Sequence, residues 1–233
     1  IPDFTNPLQS KEIQGAFLSW GTLLRKCAAS YLDVETNELS VNYFLRGKSD
    51  KDNEIRPAIY LIENLENGAG YTDHLGSMED SEKYKSFIQP LIKDGEVYER
   101  LTSDAHKKKC DCSCYDCLRD YYNQMSHSIL NWRLGLDLAH ISAGEGFIPQ
   151  YTTGYWKEVI DTCLQGYKHE NPTANIKEED GIIYVETDEI KFSLVHPLWS
   201  KLYIESKINT YEYPTVFITQ FLRNFGKDMI GNK

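Results

Sequence analysis

An α+β fold is predicted for this chain, a small β-sheet flanked by several amphipathic helices, with a cysteine knuckle leading into a long helix. Three observations predict it. Apolar residues recur at helical spacing in several long windows. Short apolar, alternating runs occur in pairs separated by turn-type segments. Four of the six cysteines crowd into the run CDCSCYDC, immediately before a further helical pattern.

In chain order, the first helix is expected over 10–31, where Ile13, Phe17, Trp20, Leu24, Cys27 and Tyr31 form one inward stripe. ELSVNYFL (38–45) and PAIYLIENL (57–65) read as a hairpin joined by the charged segment GKSDKDNEIR. The second strand runs into NGAGYTDHLG, where Gly68 and Gly70 permit close backbone approach before a helix. That loop lacks the Lys and Ser/Thr of a phosphate-binding P-loop, and Asp73 stands where a dinucleotide fingerprint needs its third glycine. Residues 80–105 carry an amphipathic stripe through Tyr84, Phe87, Ile88, Leu91 and Ile92, broken at Asp94-Gly95. A long helix is expected from Cys117 to His140, with Leu118, Tyr122, Met125, Ile129, Trp132 and Leu136 inward. Another follows over 153–167 through Trp156, Ile160, Cys163 and Tyr167. GIIYVE and KFSLVH read as two strands, HPLW as the first turn of a helix, and TVFITQFLRNF as an apolar segment that docks.

These elements suggest a first domain over 1–168, a polar linker over 169–181 and a C-terminal α/β segment over 182–233 packed on it. The chain starts without methionine, which reads either as processing or as a piece cut from a larger polypeptide.

The cysteine run carries the clearest chemistry. Cys114-x-x-Cys117 points two sulfurs at one centre, and Cys110 supplies a third corner. The fourth ligand is open: Cys112 is preferred because thiolate is the softer donor, with His106 and His127 close enough to substitute. The expected cofactor is structural Zn²⁺ held by Cys110, Cys112, Cys114 and Cys117. Disulfides fit less well, because near-neighbour cysteines strain when bridged, and Cys27 and Cys163 sit on apolar stripes like buried thiols. Four clustered cysteines also match poorly to a thioredoxin-like redox pair.

Composition bounds the partners. The 233 residues carry a net charge of −10, so phosphate contact is confined to a local patch. Lys107, Lys108 and Lys109 beside the knuckle, with Arg119 and Arg133 beyond it, are the candidate nucleic-acid contacts, and Tyr115 and Tyr121 could stack on bases. No apolar run reaches membrane-span length, and metal-type cysteine spacing suits a cytoplasmic setting.

The segments CYDCLRDYYNQMSHSILNWRLGLDL, LIENLENGAGYTDHL and VHPLW, in their order along the chain, resemble the C-terminal domain of unknown function of bacterial DEAD/DEAH-box helicases. The likeness is to the MrfA-type zinc-binding domain, and more closely to the version found in the anti-phage systems DISARM and Druantia. The helicase-type pattern has more residues between its second and third cysteines than the single Ser113 here. The resemblance implies a zinc-binding accessory domain whose partners are helicase motor domains, in the same chain or in a partner subunit, and DNA. No Walker A run or DEAD/H box is present, so the chain alone is not expected to be an enzyme. Two alternatives remain: a protein-interaction scaffold without nucleic-acid contact, and a metal-dependent nuclease using Glu63, Asp73, His74 or His196.

Overall fold

The structure, a computed structural model, describes residues 11–46, 56–76, 81–144 and 146–225. It divides into two compact units, one within Phe4–Phe147 and one within Ile148–Lys233.

The first unit is built on helix α1 (Lys11–Leu32). Its faces are divided by helical spacing. Gly15, Ser19 and Leu23 meet the segment that begins α6 (Trp132–Ser142), whereas Phe17 and Gly21 meet the hairpin β1 (Leu39–Arg46) and β2 (Arg56–Glu63). A methyl on Gly15 would lie 2.2 Å from the Ile129 carbonyl oxygen, and one on Gly21 would lie 2.6 Å from Val41 Cγ1. Only glycine allows these approaches. Ser19 Oγ stitches α1 to the entry of α6, donating to Gly15 O (2.6 Å) and accepting from Asn131 N (2.8 Å). Leu23, Ala28, Leu134 and Leu136 are almost wholly buried around this crossing. Each large apolar side chain so buried contributes roughly 1.5–3 kcal/mol.

β1 and β2 pair antiparallel, Leu39 opposite Glu63 and Arg46 opposite Arg56, as the hairpin reading expects. The connecting loop lies, apart from Arg56, outside the described residues. Beyond β2 come α2 (Tyr71–Gly76), α3 (Ser81–Ile88), α4 (Glu96–Thr102) and the single turn α5 (Asp104–Lys107). The break before α4 falls at Asp94, whose φ is 68°, followed by Gly95 packed against the Gln89 and Pro90 carbonyls.

The long helix expected from Cys117 to His140 does not form. Residues 117–131 are turns with one 3-10 segment (Gln124–Ser126), and the helix starts only at Trp132. Side chains capture the backbone there. Asp120 Oδ1 accepts from Tyr122 N (2.8 Å) and Asn123 N (3.0 Å), while Asn123 Oδ1 accepts from Asp120 N (2.9 Å) and its amide donates to Leu118 O (2.8 Å). Such Asx bonds offer the chain an alternative to helix, and here they prevail. Tyr122 and Met125, expected inward, are 76% and 97% exposed as a result.

The second unit holds α7 (Gly154–Glu170), the strands β3 (Asn175–Glu179), β4 (Ile182–Glu186) and β5 (Lys191–Val195), then α8 (Lys201–Lys207), β6 (Thr215–Phe217) and α9 (Ile218–Phe225). The sheet order is β3-β4-β5-β6, antiparallel except for the parallel β5–β6 pair. The polar stretch 169–181 is therefore not a linker: its second half is a paired edge strand, and the division between units falls instead after Phe147. Asp180-Gly181, both at positive φ, close the β3–β4 hairpin. Tyr151, Trp156, Tyr167, Phe192 and Phe221 fill the core. The buried Tyr151 hydroxyl donates to Leu194 O (2.7 Å) and accepts from Ile183 N (3.0 Å), so it is satisfied across the sheet. HPLW forms a turn rather than a helix start, closed by Trp199 N to His196 O (3.1 Å). α8 begins after Ser200, whose hydroxyl caps Tyr203 N at 3.1 Å.

Candidate metal centre

Ser103 starts the site. Its hydroxyl accepts from His106 N (3.2 Å), capping α5 and fixing where that turn presents its histidine. His106 Nδ1 lies 2.8 Å from Leu101 O, which as an acceptor sets the tautomer with the proton on Nδ1 and leaves Nε2 as a lone-pair donor. That nitrogen is 3.6 Å from Cys114 Sγ. Cys114 Sγ is 3.5 Å from Cys117 Sγ, and Cys117 Sγ is 3.7 Å from Cys110 Sγ. The donor atoms of His106, Cys110, Cys114 and Cys117 all lie within 4.8 Å of one another. Tetrahedral zinc with Zn–S near 2.3 Å and Zn–N near 2.0 Å has S···S edges of about 3.8 Å and N···S edges of about 3.5 Å. The three short contacts match those edges.

The electrostatics suit a cation. Cys114 N donates to Cys117 Sγ at 3.1 Å, the bond pattern of a metal knuckle. The hydrogen bond from the Cys110 thiol, with further help from Cys114 N, lowers the Cys117 thiol to about 5. The same bond pushes Cys110 up.

Cys112 does not join this group, and the alternate His106 takes the corner for which Cys112 was preferred. The reason is backbone commitment: Cys112 O accepts from Trp132 N (2.9 Å), tying that residue to the start of α6. His127 is also elsewhere. Its Nε2 lies 2.8 Å from Asn123 Oδ1 within the Asp120–Asn123 turn, and its ring meets Tyr115 edge-on.

Cationic side chains grip the knuckle from three directions. Lys26 of α1 donates to Cys117 O. Arg100 of α4 donates to Asp116 O at 3.0 Å. Arg133 of α6 donates to Asp111 O and stacks 4.2 Å over the Trp132 ring, which meets His106 edge-on and sends its Nε1–H to Cys110 O (3.4 Å). Arg119 Nε donates to Ser113 Oγ (2.9 Å), and Arg25 is ion-paired with Asp120. None of these partners is local in sequence to Lys26 or Arg25, so no pattern along the chain announces them.

Residues 21–118 match the family model described as the MrfA Zn-binding domain. This segment is similar to the MrfA-type zinc-binding domain. It contains all four clustered donors and ends one residue past Cys117. The matched range takes in the second half of α1, the hairpin and the knuckle, and α6, which packs on α1, lies outside it. No curated protein and no solved structure matches the chain.

The structure separates the other expected site residues. Among the candidate nucleic-acid contacts, Lys108 and Lys109 are exposed. Lys107 is paired with Asp104 at 2.9 Å with its side chain 18% exposed, Arg119 is half-buried on Ser113, and Arg133 is 3% exposed. Arg133 is therefore corrected from a phosphate contact to a structural clamp. Of the residues weighed for a nuclease, His196 lies in the second unit, buried, with Nδ1 accepting from Leu198 N (3.1 Å). Glu63 fills the glycine loop itself. Its carboxylate accepts from Ala69 N (2.5 Å), Gly70 N (3.2 Å), Thr72 N (2.7 Å) and Thr72 Oγ1 (3.1 Å). The N–H groups that could have held an external anion are taken by the chain's own, and these bonds, Thr72 N first, hold Glu63 below the usual carboxylate range.

Proposed function

We propose that this chain is a non-catalytic, zinc-stapled accessory module of a DNA helicase or helicase partner, acting in DNA repair or anti-phage defence. It braces the motor, docks a partner subunit or guides a strand. The observation that supports a structural role is the donor set: three thiolates and an imidazole close a tetrahedron and leave no corner for a reactive water. The proposed setting is cytoplasmic, where thiols stay reduced; among the described residues no helix is long and apolar enough to cross a membrane.

Strand guiding draws support from the surface beside the knuckle. Lys108 and Lys109 are exposed directly before Cys110, and Tyr115, Tyr121 and Tyr122 are 69%, 77% and 76% exposed, available to stack on bases. Met125, 97% exposed next to them, favours a second reading in which the same surface docks protein. Binding of the zinc-loaded chain to labelled single- and double-stranded DNA across a salt series separates the two. Strand guiding predicts affinity that falls linearly with log salt, with a slope reduced by about 2 when Lys108 and Lys109 are both replaced by Gln. Absence of binding at low salt would overturn it in favour of protein docking.

A further inference from the structure

Three thiolates and one Zn²⁺ leave the centre with one net negative charge. Cys110 and Cys117 are 3% and 0% exposed, so solvent does little to offset that charge. A charge held there requires a fixed counter-charge or a shell of donors. α1 supplies one: Lys26 reaches across 91 residues of sequence to donate its ammonium N–H to Cys117 O. Its neighbour Arg25 anchors the same helix turn to Asp120, three residues past Cys117 in the chain.

We infer that Lys26 is the outer-shell cation of the metal centre, a positioning residue that raises zinc affinity through its charge and couples metal loading to the docking of α1 on the knuckle. Arg100 and Arg119 are placed differently: they hold a backbone carbonyl and a serine hydroxyl of the loop at 3.0 and 2.9 Å, respectively. Lys26 alone among these cations holds a carbonyl of a ligand residue.

The test is competition of the whole chain for Zn²⁺ against a chromophoric chelator, with the Co²⁺-substituted absorption spectrum as a check on the ligand set. Lys26→Met should weaken zinc binding by about 10- to 100-fold, the usual range for losing an outer-shell partner. Lys26→Arg should restore binding to within a few-fold, and the tetrahedral thiolate spectrum should be unchanged in both. Lys26→Gln keeps a donor for Cys117 O without the charge, and it carries the test should the methionine variant not fold. A loss of at least about 10-fold in Lys26→Gln supports the charge role. Wild-type affinity in Lys26→Gln, or in a folded Lys26→Met, overturns it.

Discussion

His106 decides the chemistry of the centre at the scale of single residues. An imidazole whose Nδ1 faces Leu101 O at 2.8 Å is pre-set to donate Nε2, whereas Cys112 is held away by its own backbone. Cys112→Ser should therefore retain one zinc per chain by native mass spectrometry. His106→Ala should weaken zinc by at least about 10-fold, since one of four ligands is gone. Zinc loss in the first and retention in the second would reverse the assignment. Cys114→Ser should unfold the zinc-binding region rather than only weaken an activity, and unchanged melting of a soluble mutant would contradict that. Three of the four donors were legible in the cysteine spacing. The fourth was not, because the choice between Cys112 and His106 rests on a capped turn at Ser103 and a bond to Trp132, which lies 20 residues beyond Cys112.

Elements were legible where apolar periodicity met no competing hydrogen bond. The first helix, the hairpin and α7 form close to their expected spans, but Tyr31, expected inward on α1, is 53% exposed, and Leu23 and Ala28, off the expected stripe, are buried. Between Cys117 and Asn131 the stripe misleads, because Asp120 and Asn123 bind the backbone more effectively than a helix could. NIKEE (β3) reads as linker along the chain because it is polar, as an exposed edge strand is; the Asp180-Gly181 pair between it and IIYVE is the hairpin signal it carries. The α1–α6 crossing yields a prediction of its own. Gly15→Ala sets a methyl against the fixed Ile129 carbonyl and should cost about 1–3 kcal/mol by thermal or denaturant unfolding. A neutral result would mean that the crossing relaxes. The Glu63 loop adds a pH dependence. Since Glu63 is lowered in the fold, its contribution is fully present above the ordinary carboxylate range and is lost as pH falls through the lowered value. The melting advantage of the native chain over Glu63→Gln should thus shrink on acidification; an advantage constant with pH would show that the loop draws nothing from the charge.

For the molecule as a whole, the acidic balance of −10 and the basic grip on the knuckle belong together. Basic residues that a linear reading assigns to phosphate are spent on the metal loop: Arg133 on Asp111 O and Arg119 on Ser113, with Lys26 and Arg100 joining them. Bound zinc is therefore expected to hold this polar loop against α1, α4 and α6. Chelation should lower the chain's melting temperature and restoration of zinc should recover it, followed by circular dichroism; indifference to chelation would remove the staple from the account. The central claim is the donor set itself, and X-ray absorption at the zinc edge of the loaded chain tests it most directly. The geometry predicts three sulfurs at about 2.3 Å and one nitrogen at about 2.0 Å. Four sulfurs would return the fourth corner to Cys112, and a shell with an oxygen in place of a sulfur would contradict a closed structural centre.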